Sequence, residues 1–263
     1  MTLHDQHIHS QYSEDSSASL DEYYELAKKL NCKYFITTEH IDFMPAYSDH
    51  DWLCDFNSLK DHLNIIEDPN GPKCLLGIEM GYRRDYLNQI NMYLNSHDYD
   101  LINLSIHDNG KLEYYFVQAF EELGLKNTMK VYYEQMLDAV NTIDKFNVLS
   151  HIDYGFKTAL KIDKNYSFFS DLDIIEKILK VIIQKGKALE VNIKVQRFMT
   201  KDHLINLLNL YKSLGGTKVT LSSDSHKVET YLNYFNEFKE IIKSCGFNYL
   251  CYYIKQKEYH YDI

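Results

Sequence analysis

Apolar residues are distributed along the chain in two alternating patterns. Seven short apolar runs alternate with longer segments, and in two of these, residues 19–30 and 128–146, apolar side chains recur with helical spacing. The runs lie approximately at residues 3–9, 33–40, 74–81, 101–107, 147–151, 188–193 and 218–226. Alternating short strands and amphipathic helices are typical of a parallel α/β architecture.

Local signals at the ends of these segments support the same division. Ser19 and Glu22 form the S-x-x-E pattern of a capping box, which predicts that the Ser19 side chain accepts a hydrogen bond from the Glu22 amide and that the Glu22 side chain reaches back to the cap. The stretch EDPNGPK, residues 67–73, predicts a loop between a helix and a strand. With three prolines, ten glycines and no low-complexity run, we expect residues 1–263 to form a single domain.

Side chains that can bind metal ions recur where the predicted strands end. The runs deliver, in chain order, His7 and His9, His40, Glu79, His107, His151, and Asp224 with His226. In an α/β barrel, the carboxyl ends of the strands meet on one face and form the active site. The sequence therefore predicts that these side chains converge from different strands.

The spacing within two of these strands suits the binding of one ion. Side chains two residues apart on a strand point the same way, so the imidazoles of His7 and His9 can reach one ion. Asp224 and His226 repeat the spacing with one carboxylate and one imidazole. Mixed oxygen and nitrogen donors favour Zn, Mn or Fe over Ca or Mg. Glu79 has two carboxylate oxygens with which to bridge neighbouring ions.

A single histidine in a strand has a simpler explanation, because such residues are commonly hydrogen-bonded members of the core. The joint placement of six histidines at the ends of apolar runs favours a metal centre instead. The other six histidines lack this placement, and we expect ordinary structural roles for them: His4, His50, His62, His97, His203 and His260.

Composition narrows the classes of function. The formal net charge of -10 and the pI near 5.6 argue against nonspecific nucleic-acid binding, which depends on Lys and Arg. The five scattered cysteines form no C-x-x-C pair, which indicates neither a disulfide framework nor a thiolate zinc site and favours a reducing cytosol. The start of the chain has no apolar leader and the apolar stretches are short, so we expect neither secretion nor membrane insertion. A small-molecule substrate is the better expectation.

The sequence resembles the polymerase-and-histidinol-phosphatase (PHP) family of metal-dependent phosphoesterases. The resemblance rests on the segments HIHSQYSED, TEHIDF, GIEMGY, SIH, SHIDYG, EVN and SSDSH, which occur in family order over almost the whole chain. It implies a distorted (β/α)7 barrel of the TIM-barrel type, with three divalent metal ions at the carboxyl ends of the strands. The length, without insertions, is similar to that of the histidinol-phosphate phosphatase branch.

The resemblance also implies three sets of metal ligands. The first set is His7, His9, Glu79 and Asp224. The second set shares Glu79 as a bridge and adds His107 and His151. The third set is Asp15, His40 and His226. Some relatives have a histidine in place of Asp15, and Asp15 has a second interpretation as a cap of the helix that begins near Ser19.

Cations beyond the strand ends are candidates for binding a phosphate. Arg197 follows the sixth run by a few residues, and a guanidinium can bind phosphate through two parallel hydrogen bonds. Histidinol-phosphatase relatives carry an arginine in this loop; an exposed surface position is the alternative. Lys157 or Lys161, in the loop after His151, is a second candidate.

Carboxylates and amides next to the predicted ligands are candidates for supporting roles. Glu39 and Asp42 flank His40, and a metal-binding imidazole usually donates its second N–H to a carboxylate or carbonyl. These two carboxylates either orient His40 in this way or face outward. Of Glu190 and Asn192 on the sixth strand, one should face the barrel mouth, and Asn192 is a candidate substrate contact.

The resemblance implies hydrolysis of a small phosphomonoester, L-histidinol phosphate to L-histidinol and phosphate in histidine biosynthesis, by a hydroxide that bridges two ions. Glu79, Asp224, His40 and His226 would be catalytic, and Asp15, His40, His226 or a water on the third ion would protonate the leaving alkoxide. A protein-tyrosine phosphatase or a nuclease of the family would use the same metal set. A noncatalytic metal-binding module would have lost some of the ligands.

Overall fold

The computed structural model describes residues 4–263, so Leu3 of the first predicted strand lies outside the described residues. The strands of its main sheet are β1 (Tyr34–Asp42), β2 (Trp52–Leu53), β3 (Lys73–Gly81), β4 (Leu101–Ser105), β5 (Val148–Leu149), β6 (Ala188–Asn192) and β7 (Val219–Ser222). Their order in the sheet is β2-β1-β3-β4-β5-β6-β7. All neighbours are parallel except β2, which pairs antiparallel with the end of β1.

Helices occupy most connections between the parallel strands. In the described residues, the α-helices are α1 (Leu20–Lys29), α2 (Phe56–Ile66), α3 (Leu87–Leu94), α4 (Leu125–Thr142), α5 (Tyr154–Ile162), α6 (Leu172–Gln184), α7 (Ile193–Gln196), α8 (Lys201–Ser213) and α9 (Phe235–Ser244). Single 3₁₀ turns cover Arg84–Tyr86, Val117–Phe120, Phe168–Asp171 and Val228–Thr230. Among residues 4–263, no helix combines the length and apolar character needed to cross a membrane.

Two local predictions from the sequence are confirmed. Ser19 is the N-cap of α1, and its side-chain oxygen accepts a hydrogen bond from the Glu22 amide at 3.4 Å, although the reciprocal bond from the Glu22 side chain does not form in the described residues. The predicted loop at residues 67–73 separates α2 from β3, which begins at Lys73. The charged and turn-forming residues therefore set the boundaries that their chemistry predicts.

The segment around Ile8 closes the sheet into a barrel between β7 and β1. The His9 amide donates to the Ser225 carbonyl at 2.8 Å, and the Thr38 amide donates to the Ile8 carbonyl at 2.9 Å. Ile8 and Ser225 form one parallel bridge, so the first predicted strand contributes a single bridge and not a regular ladder. One reason is that the Ile8 amide donates to the Thr38 hydroxyl, 3.0 Å away, and not to a strand carbonyl. The result is the distorted (β/α)7 barrel that the resemblance implies.

A C-terminal β-hairpin, which the hydrophobic pattern does not predict, covers the amino-terminal end of the barrel. Its strands β8 (Tyr249–Ile254) and β9 (Lys257–Asp262) are antiparallel. The two turn residues, Lys255 and Gln256, have φ values of 50° and 59°. Two-residue hairpin turns of this kind favour Asn-Gly, and the sequence Lys-Gln gives no such signal. The turn is held in place because both amides donate to Asp100.

Beneath this hairpin lies a small apolar core. Its buried members come from the starts of the parallel strands and from β8: Ile36, Leu75, Leu101, Val148, Ala188, Cys251 and Tyr253. The larger core lies between the barrel and the helices. The hairpin therefore seals the end of the barrel that is opposite the strand-end histidines.

This packing predicts that Leu101→Ala lowers the free energy of unfolding by about 2–5 kcal/mol, because it leaves a cavity under the hairpin. Ile65→Ala is the matched control, since Ile65 is 81% exposed and its change should stay within about 0.5 kcal/mol. Urea unfolding of the two variants and the wild type measures both values. Equal midpoints for the two variants would contradict a sealed core at this end.

Candidate metal centre

The predicted ligands lie together at the carboxyl ends of the parallel strands. His40 on β1 and Glu79 on β3 are direct neighbours in the sheet. His107, His151 and Asp224 each follow the last residue of β4, β5 and β7 by two positions. Parallel strands end on one edge, so these side chains reach one region. The structure brings together here His7, His9, Asp15, His40, Glu79, His107, His151, Asp224 and His226.

The buried carboxylate of Glu79 lies in the middle of this group. Its Oε2 atom is 3.1 Å from His7 Nε2, 3.4 Å from His9 Nε2 and 3.3 Å from His40 Nδ1. The two nitrogens His7 Nε2 and His9 Nε2 are themselves only 3.0 Å apart. Three imidazoles from two elements therefore direct nitrogen atoms at one carboxylate oxygen.

The other oxygen of Glu79 faces a second group. Oε1 is 2.7 Å from His151 Nε2 and 3.2 Å from His107 Nε2, and it accepts a hydrogen bond from the Ser105 hydroxyl. Each oxygen of this carboxylate thus has its own set of nitrogens. Such an arrangement suits a carboxylate that bridges two cations.

Asp224 approaches the first group from the loop after β7, and its amide donates to the His7 carbonyl at 2.8 Å. Its Oδ1 atom is 3.5 Å from His9 Nε2 and 3.3 Å from Lys194 Nζ, and its Oδ2 atom accepts a hydrogen bond from Asn192 at 3.1 Å. Asp224 has a φ of 50°, a left-handed conformation that is uncommon outside glycine. Local strain of this kind is concentrated at functional sites, where the surrounding contacts impose it.

Asp15 joins two imidazoles and does not cap α1. Its Oδ2 atom is 2.9 Å from His226 Nε2, and its Oδ1 atom is 3.6 Å from His40 Nε2. Burial opposes the charged imidazole of His40, but Asp15 and Glu79 outweigh this effect and raise the pKa of His40 to about 10. Because Ser19 is the cap, the geometry favours Asp15 as a donor of the third set.

Further carboxylates hold the imidazoles from behind. Glu190 accepts hydrogen bonds from His7 Nδ1 and from the His151 amide, each at 2.7 Å. Asp42 Oδ1 is 2.9 Å from His107 Nδ1, so Asp42 has the orienting position that the sequence suggests, although mainly for His107. Such partners fix the ring orientation of metal-binding histidines.

Glu39, the other carboxylate suggested for orienting His40, is directed elsewhere. It accepts hydrogen bonds from the Ser10 amide and hydroxyl and from the Ser13 hydroxyl. Neighbouring residues of a strand point to opposite sides, which turns Glu39 away from the centre that His40 faces. Glu39 therefore stabilises the turn that follows His9.

The chemistry of this donor set fits divalent transition-metal ions. Burial opposes the charge of Glu79, yet His7 and His107 outweigh it and hold the pKa of this carboxyl well below its usual range. Two buried atoms at the centre, His40 Nδ1 and Asp42 Oδ2, lie 3.3 Å from each other but make no hydrogen bond within the described residues. Imidazole and carboxylate donors with unused lone pairs are the ligands that Zn, Mn and Fe prefer.

Above the donors, a cavity of about 500 Å³ opens toward solvent. The side chains that line it beyond the predicted ligands are Tyr47, Trp52, Glu113, Tyr115, Phe116, Tyr154, Lys157 and Lys194. A cavity of this size, with aromatic walls and a few charged groups, is typical of a small-molecule site.

The cavity contains one of the two predicted lysines and one cation that the sequence does not single out. Lys157 is buried, and its Nζ atom lies 4.7 Å and 4.8 Å from the ring centres of Tyr115 and Tyr154. Burial and the neighbouring charge of Lys194 lower the pKa of Lys157 to about 8. Lys194 Nζ lies 3.3 Å from Asp224 Oδ1, next to the predicted ligands.

The structure does not bring the other predicted substrate contacts to this cavity. Arg197 is exposed at the end of α7, where its guanidinium stacks 4.2 Å from the ring centre of Tyr234. Lys161 is exposed, with its ammonium over the ring of Tyr115. Asn192 is buried as the N-cap of α7 and donates to Asp224. The short helix α7 explains the outcomes for Arg197 and Asn192, because it uses Asn192 as its cap and leaves Arg197 beyond its last turn.

Glu113 is a cavity carboxylate for which the sequence gives no signal. It accepts a short hydrogen bond from the Tyr154 hydroxyl, and burial raises the pKa of its carboxyl although this bond opposes the shift. Glu113 lies in the irregular stretch between β4 and α4, where neither strand nor helix periodicity applies. A half-buried carboxylate in an aromatic wall is a suitable partner for a cationic group of a ligand.

Curated relatives are similar to this chain over most of its length and theirs. Residues 5–194 match the PHP domain family. Histidinol-phosphatase from Lactococcus lactis subsp. lactis (strain IL1403) is 28% identical over 250 residues, which is 94% of this chain and 92% of that protein. A relative from Clostridium acetobutylicum is 28% identical over 240 residues, which is 89% of this chain and 91% of the relative.

A solved structure shares the fold over nearly the full length. The crystal structure of histidinol phosphate phosphatase from Lactococcus lactis subsp. lactis Il1403, complexed with zinc, L-histidinol and phosphate, has a TM-score of 0.82 with this chain. The two sequences are 26% identical, and the similarity covers 97% of this chain and 98% of the other. With the family match over residues 5–194, the chain belongs to the PHP domain family.

Proposed function

We propose that this protein is a metal-dependent phosphomonoesterase that hydrolyses L-histidinol phosphate to L-histidinol and phosphate, and that residues 1–263 form one barrel domain. The observation that carries the proposal is the group of imidazoles and carboxylates around Glu79 at the base of a cavity that contains two lysines. The Lactococcus lactis relative, similar over almost its whole length, is complexed with zinc, L-histidinol and phosphate. The reaction then belongs to histidine biosynthesis and takes place in the cytoplasm.

Three divalent ions, with zinc as the first candidate and Mn or Fe as alternatives, would be held by the three donor sets. The first set is His7, His9, Glu79 and Asp224, the second Glu79, His107 and His151, and the third Asp15, His40 and His226. When bound, such ions supply Lewis acidity toward phosphoryl oxygens and make a water molecule acidic enough to attack.

The side chains of the chain then divide the remaining tasks. The two lysines of the cavity, Lys157 and Lys194, lie where they can neutralise phosphate oxygens above the donor sets. Asp15, His40 and His226 form the third set, and one of them, or a water molecule at this set, would deliver the proton that the leaving alkoxide takes up. Glu113 and the aromatic wall face the organic part of the substrate, and the carboxylate of Glu113 pairs with its ammonium group.

The cavity favours a small substrate over the alternatives within the family. A nuclease or a protein-tyrosine phosphatase needs an open groove for a polymer, whereas this cavity is bounded by aromatic side chains such as Tyr47, Trp52 and Phe116. A noncatalytic module is disfavoured because every predicted ligand position carries a donor that points into the centre. A phosphate-release assay over a panel of phosphomonoesters, after loading with Zn, Mn or Fe, tests the proposal, and inactivity on the whole panel would refute it.

Replacing Glu79 by Gln should lower kcat/KM for histidinol phosphate by more than about 100-fold, because loss of even an outer partner of a metal ligand costs about 10–100-fold. The amide also removes the negative charge that two donor sets share, so bound metal measured by elemental analysis should fall. Glu134→Gln, on the exposed side of α4, is the matched control and should match the wild type in both measurements. A folded Glu79→Gln enzyme with normal turnover would exclude the bridging role.

Lys157→Ala should lower kcat/KM by about 10- to 150-fold, which corresponds to one charge-assisted hydrogen bond. Arg197→Ala, the control, should change it by less than about twofold, as is usual for an exposed charge. If the order is reversed, the arginine that the resemblance suggests binds the phosphate after all.

The same lysine gives a signature in the pH profile. With its pKa lowered to about 8 by burial and by Lys194, Lys157 is charged below that pH and loses its proton above it. The kcat/KM of the wild type should therefore fall as the pH rises through about 8. In Lys157→Arg this fall should disappear, since a guanidinium stays charged over the whole range. A fall of the same size in both proteins would assign the titration to another group.

Glu113→Gln should lower kcat/KM for histidinol phosphate by about 10-fold or more, because an ammonium–carboxylate hydrogen bond contributes about 1.5–3 kcal/mol. Hydrolysis of p-nitrophenyl phosphate, which has no ammonium group, should change by less than about threefold and so controls for the metal centre. Equal losses on both substrates would show that Glu113 acts on the catalytic groups and not on the substrate cation.

A further inference from the structure

A second group of metal-binding side chains lies on the C-terminal hairpin, at the end of the barrel opposite the cavity. Cys251 on β8 is directly opposite His260 on β9, and Glu258 precedes His260 by two positions. Side chains at these positions point to the same face of a two-stranded ribbon. The hairpin therefore presents one thiol, one carboxylate and one imidazole side by side.

The distances between the donor atoms suit a single ion. Cys251 Sγ is 3.8 Å from Glu258 Oε1, and Glu258 Oε1 is 2.5 Å from His260 Nε2. All three donor atoms lie within 4.8 Å of one another. Zinc binds sulfur at about 2.3 Å and nitrogen or oxygen at about 2.0–2.2 Å, so small side-chain rotations are enough to place all three donors around it.

Neighbouring residues hold the donors in these positions. Lys218 Nζ binds Glu258 Oε2 at 2.6 Å, which leaves Oε1 directed at Cys251 and His260. The ring of Tyr249 stacks on the imidazole of His260 with a centroid distance of 4.2 Å. Partners of this kind orient the ligands of a metal ion and favour the bound geometry.

The three side chains also differ in exposure, as an accessible site requires. Cys251 is fully buried, whereas the side chains of Glu258 and His260 are 21% and 46% exposed. An ion can therefore enter from the solvent side, with water as a fourth ligand, and reach a sulfur atom that lies against the apolar core. Zinc sites with three protein ligands leave such an open position.

We propose that Cys251, Glu258 and His260 form a zinc-binding site that is separate from the main metal centre and links β8 to β9. Binding converts the Cys251 thiol to a thiolate, forms the Zn–S bond and releases one proton to solvent. Burial raises the pKa of this thiol to about 12, so the thiol keeps its proton until metal displaces it. The affinity for zinc should therefore increase as the pH rises.

Cobalt substitution separates this site from the main centre. All donors predicted for the main centre are imidazoles and carboxylates, so a thiolate-to-cobalt charge-transfer band in the near ultraviolet reports a cysteine ligand. Addition of Co²⁺ to the metal-stripped full-length protein should produce this band, and Zn²⁺ should abolish it. Titration also gives the stoichiometry, which should be one cobalt per chain for this band.

Three variants decide whether the band arises from the hairpin. Cys251→Ala should abolish it, and His260→Ala should weaken cobalt binding at this site by more than about tenfold. Cys245→Ala is the matched control, because Cys245 is another buried free thiol, and its band should equal that of the wild type. His260→Ala keeps the test valid if Cys251→Ala folds poorly, since the imidazole is 46% exposed and lies outside the apolar core.

Activity toward phosphomonoesters is measured on the same preparations. Cys251→Ala loaded with metal should keep wild-type turnover, because the hairpin lies at the other end of the barrel. The absence of a thiolate band in the wild type, or its persistence in Cys251→Ala, would overturn the hairpin site whatever the outcome for the phosphatase.

Discussion

The centre depends on one requirement, which is that the charge of the buried carboxylate of Glu79 must be compensated. Glu79 is 1% exposed, and an isolated charge in such a position costs several kcal/mol or more. The protein offsets this cost with imidazoles that reach both oxygens from β1, β4, β5 and the closing segment. Because no single element carries enough of these groups, the compensation requires a closed barrel whose strands all end at the same edge.

The contacts behind the imidazoles extend this requirement further into the fold. Glu190 binds His7 and the backbone of His151, and Asp42 binds His107, so buried charges are supported by other buried charges. Asp5 continues the pattern: it accepts from the Ser223 amide and hydroxyl and from the His7 amide, and burial raises its pKa to about 7. This carboxyl ties the closing segment to the loop that carries Asp224. A network of this kind gives little net stability, but removal of one member leaves the others unpaired.

The sequence is most informative where a regular strand ends in a polar side chain. The period of two residues predicts that His7 and His9 act together, and the strand-end rule predicts that Glu79, His107 and His151 converge. The same reasoning fails once the chain leaves the strand. Whether Lys194 or Arg197 reaches the cavity depends on the single turn of α7, and its cap, Asn192, is recognisable only in the structure. The sequence does not predict the hairpin for a related reason, since its turn uses left-handed Lys255 and Gln256 without the usual glycine.

Long irregular connections are the second limit on predicting the site from the sequence. Glu113 and Tyr115 reach the cavity from the stretch between β4 and α4, in which no periodicity relates a residue to a face of the protein. This stretch supplies one carboxylate and two aromatic rings to the lining, those of Glu113, Tyr115 and Phe116. The strand ends therefore provide donors suited to metal ions, α5 and α7 provide lysines suited to a phosphate, and the irregular stretch provides a carboxylate and aromatic rings suited to an organic cation.

This separation of charge explains how a protein with a net charge of -10 can take an anionic substrate. The field that a ligand meets in a cavity depends on the nearest groups and on the low dielectric of the walls more than on the net charge. Lys157 illustrates the point, because the rings of Tyr115 and Tyr154 shield its ammonium from water and stabilise it through cation–π contacts. The overall negative charge then repels polyanions from the surface, while the cations inside the cavity act on the small phosphate that enters it.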